Sequence, residues 1–290
     1  MAIMMDRNTK ILVQGATGHQ GSFHMNAMIE LGSNVVAGVT PGKGGTVVGK
    51  IKIFDSVKEA VNETGANSSV VFVPSKLTKD AVIEAIDAGI KLIVIITEHV
   101  PSQDMLELNE YSRLNGARII GPNGPGIAVP GIGKMGIIPN GILKKGVVGV
   151  VSRSGTLTYE IVDNINKTGL GESTIVGIGG DKVIGTRFTE VLKMLEDDDQ
   201  TKGVVIVGEI GGGEEENAAA FIKNSMKKPV VAYIDGVFSP PGKRMGHAGA
   251  IISGNVGTAK GKIAAFNDAG VPVAKDFKEL QELIKNRIKS

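Results

Sequence analysis

Cysteine is absent from this chain of 290 residues. Disulfide scaffolds, thiolate metal sites, iron–sulfur clusters and a cysteine nucleophile are excluded together. Tryptophan is absent as well and aromatic residues make up only 4%, which argues against the stacking platforms of nucleic-acid binders. Charge of neither sign dominates: 32 basic side chains stand against 30 acidic ones, a formal +2, so no nucleic-acid footprint is expected. Long apolar runs are missing too. Stretches such as 92–97 and 204–208 fall far short of the roughly 20 residues that span a bilayer. Residues 1–10 carry Asp6, Arg7 and Lys10 but no apolar h-region, so no signal peptide is expected and a soluble cytoplasmic protein is the expectation.

What is abundant is glycine, at 41 residues, clustered just after apolar runs where tight turns beside ligands belong. Short β-branched runs alternate with amphipathic stretches. Residues 10–14, 34–39, 69–73, 92–97 and 118–120 read as strands, and 21–31, 56–64, 78–88 and 102–114 as helices. After a Gly/Pro-rich stretch the rhythm restarts. Strands are expected at 147–151, 174–178, 204–207, 229–234 and 271–273, with helices near 155–167, 185–195, 214–227, 256–269 and 277–289. This is an α/β chain of two doubly wound, mainly parallel sheets. The expected domains are 1–125 and 146–290, with 126–145 as a connecting segment.

Four segments carry candidate chemistry. The first, Gln14-Gly15-Ala16-Thr17-Gly18-His19-Gln20-Gly21, lies between the first strand and the first helix. Glycines there let the backbone approach a pyrophosphate seated on a helix N-terminus. A dinucleotide site wants an acid at the end of the second strand for the ribose hydroxyls. This strand instead runs into Val39-Thr40-Pro41-Gly42-Lys43-Gly44-Gly45, and a lysine favours a ligand with an extra phosphate. Coenzyme A fits, with NADP as the rival. The second segment, Val151-Ser152-Arg153-Ser154-Gly155-Thr156, would offer backbone N–H groups and hydroxyls of Ser154, Gly155 and Thr156 to an anion, or serve only as a helix cap. No glycine stands two residues before Ser154, so this is not a nucleophile elbow. The third surrounds His247 with glycines and places Lys243 and Arg244 beside it. No companion ligands for a metal stand nearby, and the cations would attract phosphate, which suggests a phosphohistidine. The fourth, Gly208-Glu209-Ile210-Gly211-Gly212-Gly213, offers Glu209 as the carboxylate that holds one imidazole nitrogen. Glu214, Glu215 and Glu216 beyond it read as the acidic first turn of a helix.

Taken together, these segments resemble the α subunit of succinyl-CoA synthetase, the ADP- or GDP-forming succinate–CoA ligase. The resemblance runs along essentially the whole chain. It rests on GATGHQG (15–21), VTPGKGG (39–45), ITE (96–98), IGPNGPG (120–126), VSRSGTLTYE (151–160), GIGGD (177–181), GEIGG (208–212) and GKRMGHAGAI (242–251), the last being the family's phosphohistidine signature. It implies a Rossmann-like CoA-binding domain and a flavodoxin-like ligase domain. It implies that Thr17, Gly18, His19, Gln20, Lys43, Ile96, Thr97 and Glu98 line or border the CoA site. Tyr159 would lie by the acyl substrate, and Ser154, Gly155 and Thr156 would hold phosphate. His247 would be the phosphorylated residue, oriented by Glu209. The resemblance further implies reversible succinyl-CoA formation in the tricarboxylic acid cycle, through succinyl phosphate. CoA would be a substrate, and ATP or GTP with Mg²⁺ would sit on an ATP-grasp β subunit, in an αβ or α₂β₂ assembly. Two departures stand out: Gly124 occupies a position where many members carry cysteine, and His19 replaces a small polar residue. The rival readings are a related NDP-forming acyl-CoA synthetase or citrate-lyase-like subunit and, from another class, a non-catalytic nucleotide sensor.

Overall fold

The computed structural model describes residues 3–240, 245–252 and 256–289. The first half runs β1 (Ile11–Gln14), α1 (His19–Glu30), β2 (Val35–Val39), β3 (Val47–Val48), β4 (Ile51–Phe54), α2 (Val57–Thr64), β5 (Ser68–Val71), α3 (Ser75–Asp87), β6 (Leu92–Ile95), α4 (Ser102–Leu114) and β7 (Arg118–Ile120). Then follow β8 (Gly126–Val129), β9 (Gly133–Gly136), β10 (Lys145–Ser152), α5 (Gly155–Lys167), β11 (Glu172–Gly177), α6 (Phe188–Asp197), β12 (Gly203–Gly208), α7 (Glu214–Ser225), β13 (Val230–Ile234), α8 (Ala259–Asp268), β14 (Val273–Ala274) and α9 (Phe277–Arg287).

The strands are short and β-branched because they are buried on both faces. Every residue of β1, β5, β6, β11 and β12 is buried. In the first sheet the order is β3-β4-β2-β1-β5-β6-β7. Only β3 is antiparallel, so the parallel strands follow the Rossmann order. The second sheet, β14-β13-β12-β10-β11-β8-β9, contains the flavodoxin-like order with two antiparallel strands added at one edge.

Those two added strands lie in the segment expected as a plain connection, 126–145. Their glycines are the reason they read as loop. A Cβ at Gly126 would stand 2.1 Å from the Met135 oxygen, and one at Gly136 would stand 2.3 Å from the Pro125 oxygen. At those two positions a side chain is excluded because the backbones touch, and the glycines and prolines around the short apolar run Ile127–Val129 make the stretch read as loop. The β3–β4 hairpin was likewise absent from the expected elements. Its residues 47–48 pair with 51–52 across Gly49.

The sheets share one apolar cluster, in which Met28 and Val35 of the first half meet Val129 and Met135 of the second. The Ser33 hydroxyl donates to the Lys134 oxygen at 2.9 Å across the same boundary, and Asn140 donates to the Ala27 oxygen at 2.9 Å.

Candidate functional site

At the C-terminal edge of the first sheet the strand order reverses between β1 and β5, the place where such sheets bind ligands. A cavity of about 800 Å³ opens there. Thr17, Gly18, His19 and Gln20 line it, with Thr40, Pro41, Phe72, Pro74 and Leu77 opposite. Gly15 takes φ +79, and a Cβ on Gly21 would fall 2.1 Å from the Gly15 oxygen. The turn is therefore closed by glycine, and α1 begins directly after it. Gly18 is the N-cap and supplies no side-chain hydrogen bond, so the first N–H groups of α1 point out unclaimed by a cap. Apolar walls with a helix N-terminus at one end suit a ligand that is part nucleotide and part phosphate.

The structure does not bring the other expected CoA residues to that wall. Lys43 is exposed in the turn after β2, where its backbone N–H donates to the Thr40 oxygen at 3.1 Å. Ile96, Thr97 and Glu98 follow β6. The Thr97 hydroxyl donates to the oxygen of Val73, a residue of the cavity, at 2.7 Å. Glu98 is exposed beside His99.

A second focus lies at the C-terminal edge of the other sheet. Ser152 of β10 pairs with Val207 of β12 and with Gly177 of β11, so the three strands end together. Past those ends stand Arg153 and Ser154, Glu209, and Gly180. His247 reaches into this group: its Nδ1–H donates to Glu209 Oε2 at 2.8 Å. A carboxylate oxygen can only accept, so Nδ1 holds a proton, and in the neutral ring Nε2 keeps its lone pair. The ring lies where Gly180 has no side chain, since a Cβ there would come within 2.1 Å of Nδ1. The loop is tied down by the Gly249 N–H, which donates to the Gly180 oxygen at 2.9 Å. The bond to Glu209 raises the His247 pKa above its ordinary value, while burial and the Arg153 charge oppose it. Lys243 and Arg244 lie outside the described residues.

Ser154 is the N-cap of α5, its hydroxyl accepting from the Leu157 N–H at 3.2 Å. Gly155 and Thr156 form the first turn, at the same strand-end edge as Glu209. Tyr159, one turn on, is half-buried against the apolar cluster of Ile138 and Ile161, and burial raises its pKa.

Several residues were not singled out from sequence. Arg153 is buried and stands 3.3 Å from Glu209 Oε1 and 3.0 Å from Glu215 Oε1. Asn123 joins the two foci. Its N–H donates to the Thr97 oxygen at 3.1 Å, its oxygen accepts from the Gly180 N–H at 3.1 Å, and its amide donates to Asp181 at 2.9 Å. The available signal was its place in IGPNGPG, between the last strand of one sheet and the first of the next. Among the described residues no group of three or more His, Asp or Glu side chains could hold a metal ion, and no helix is long and apolar enough to cross a membrane.

Residues 6–99 match the family model of a CoA binding domain and residues 151–272 that of CoA-ligase. The class is thereby an enzyme of the CoA-ligase type. "Succinate--CoA ligase [ADP-forming] subunit alpha 2" of Archaeoglobus fulgidus is 58% identical over 284 residues, which is 98% of this chain and 99% of that one. The corresponding α subunit of Staphylococcus epidermidis is 52% identical over 274 residues, 94% of this chain and 91% of that one. The chain belongs to the family of succinate–CoA ligase α subunits. Among solved structures, ATP citrate lyase from Methanothrix soehngenii in complex with citrate and coenzyme A is similar at a TM-score of 0.88 and 25% identity over 98% of this chain. This chain spans 50% of the length of that structure's chain.

Proposed function

We propose that the chain is the α subunit of an ADP-forming succinate–CoA ligase, working in the cytoplasm with an ATP-grasp β subunit that holds the nucleotide and Mg²⁺. The observation that carries the reading is the free Nε2 of His247, with Nδ1 held 2.8 Å from a buried carboxylate. In the synthetic direction the Nε2 lone pair attacks the terminal phosphorus of the nucleoside triphosphate, and the bond to the bridging oxygen breaks. A succinate carboxylate oxygen then attacks the phosphohistidine phosphorus, giving succinyl phosphate and free His247. The CoA sulfur attacks the acyl carbon, phosphate leaves, and the thiol proton goes with it. Glu209 offsets the positive charge that grows on the imidazole while phosphorus is bonded to it. Ser154, Gly155 and Thr156, at the N-terminus of α5, hold the phosphoryl oxygens.

CoA binds in the cavity at Thr17, Gly18, His19 and Gln20. Its charged end extends over the exposed Lys43, and Ile96, Thr97 and Glu98 border its path toward the second sheet. Tyr159 lies near the acyl group. Residues 1–125 form the CoA unit and 146–290 the ligase unit, with 126–145 between them supplying the edge strands of the latter.

The likeness to ATP citrate lyase makes a tricarboxylate the competing acid. Co-expression with the partner subunit, followed by a panel of succinate, citrate and acetate with ATP and with GTP, separates the readings. Thioester formation with succinate, dependent on the partner and releasing ADP, is expected. Preference for citrate or acetate, or full turnover by this chain alone, contradicts the proposal.

A further inference from the structure

Behind the His247–Glu209 contact lies a second, wholly buried carboxylate. Glu215 of α7 and Lys262 of α8 are both 0% exposed, in a place where ions are costly to bury. Glu215 Oε1 accepts from the backbone N–H of Glu209 at 3.1 Å and from Arg153 Nη1 at 3.0 Å. Its other oxygen accepts from Lys262 Nζ, which also donates to the Gly212 oxygen at 3.1 Å and to Glu216 at 3.0 Å. The fold makes room for this. A Cβ on Gly208 would stand 2.6 Å from Glu215 Cγ, so glycine at the end of β12 is what admits the side chain.

We propose that Glu215, held by Lys262, is a positioning residue for the phosphoryl relay. It fixes the Glu209 backbone and draws Arg153 to itself, so that Glu209 keeps its charge for the imidazole. The inference rests on the reading of His247 as phosphoryl carrier. The geometry explains why a bidentate grip by Arg153 on Glu209 does not form. Arg153 Nη1 is spent on Glu215 and on the Gly211 oxygen at 3.1 Å, and only Nη2 faces Glu209, at 3.3 Å. Glu209 Oε1 is left buried without a hydrogen bond, and its Oε2 is left to His247. Among the described residues, the charged groups facing the imidazole are Glu209, Arg153 and Asp181, from the segments that follow β12, β10 and β11. Without the Glu215 charge, Arg153 swings its charge onto Glu209, and the imidazole loses both proton affinity and its fixed tautomer.

The test reads His247 by ¹⁵N NMR titration in the full chain, assigned among the four histidines with His247→Asn. Labelled phosphate incorporation is measured in the complex with its partner. Glu215→Gln should lower the apparent pKa of His247 by about one unit, a roughly tenfold change in proton affinity, and slow phosphorylation by a similar factor. It also removes the buried counter-charge of the Lys262 ammonium, leaving it only Glu216, so Glu215→Gln/Lys262→Met is measured beside it. In that double variant thermal stability should recover while the His247 titration and the slow phosphorylation persist. Recovery of both together reduces Glu215 to a packing role and overturns the proposal, as does an unshifted titration in Glu215→Gln. Absence of label in the unaltered complex would sink the relay reading instead, with the titration still deciding what Glu215 does to the ring.

Discussion

Gly180 gives up its side chain to the imidazole of His247. A methyl group there would sit 2.1 Å from Nδ1, and the atom displaced is the one bonded to Glu209. Gly180→Ala is therefore expected to cost the charge-assisted hydrogen bond, worth roughly 1.5–3 kcal/mol or about 10- to 100-fold in phosphorylation rate. CoA affinity should be unchanged, because the cavity at Thr17 lies in the other sheet. Equal loss of both, or of neither, in single-turnover labelling and CoA titration would separate the ring's position from its chemistry. Gly124 behaves similarly: a Cβ there would meet the Gly177 oxygen at 2.8 Å, so with this backbone the cysteine common in the family needs a local shift. At this scale the sequence was legible where a residue type is rare. His247, one of four histidines, stands out by its type, and Glu209 by its place, a carboxylate directly after a buried apolar strand. Arg153 and Glu215 did not. Glu215 sits in a run of three acids that looks like a solvated first turn, and only Gly208, seven residues earlier, marks the inward one.

Elements place these residues by ending in register. The C-terminal ends of β10, β11 and β12 bring Ser154, Gly180 and Glu209 to one edge, and the turn after β1 sets the start of α1 at the matching edge of the first sheet. Continuous Val/Ile runs made the strands readable, and Ser102–Leu114 and Gly155–Lys167 were legible to the residue. What escaped was β8 and β9, whose few apolar side chains, Ile127, Val129 and Met135, stand between glycines that the close backbones require. One strand end makes a separate prediction. Glu172 opens β11 fully buried, accepts from the Lys144 N–H at 3.2 Å, and leaves Oε1 without a partner. Burial pushes its carboxyl up from 4.5 to about 8. The folded chain thus keeps a proton that the unfolded chain has released, so this group's contribution is present below about pH 4.5 and lost as the pH rises through about 8. Lys134, pushed down to about 8 by burial, changes stability only above that pH. Glu172→Gln should flatten the decline of Tm between about pH 5 and 8. A decline of the same steepness in the variant would show that Glu172 is charged in the folded chain.

Across the whole molecule, the two sheets are joined through the loops that follow their strand ends. Asn123 bonds the end of β6 to the loop that supports His247, and the apolar cluster around Met28 and Met135 runs beneath both. A ligand that seats its phosphates on α1 and reaches past Thr97 would arrive at the histidine end through that joint. The division into two α/β units was readable from the interrupted strand–helix rhythm. Their shared core was not, because contacts between remote segments leave no periodicity in either. The central claim is that His247 carries the phosphoryl group. Its most direct test is incubation of the complex with γ-labelled nucleoside triphosphate, followed by peptide mapping of the label. The account predicts one label on the peptide containing His247, labile in acid and stable in base, and none in His247→Asn. An acid-stable label on Ser154, or full labelling of His247→Asn, would contradict it.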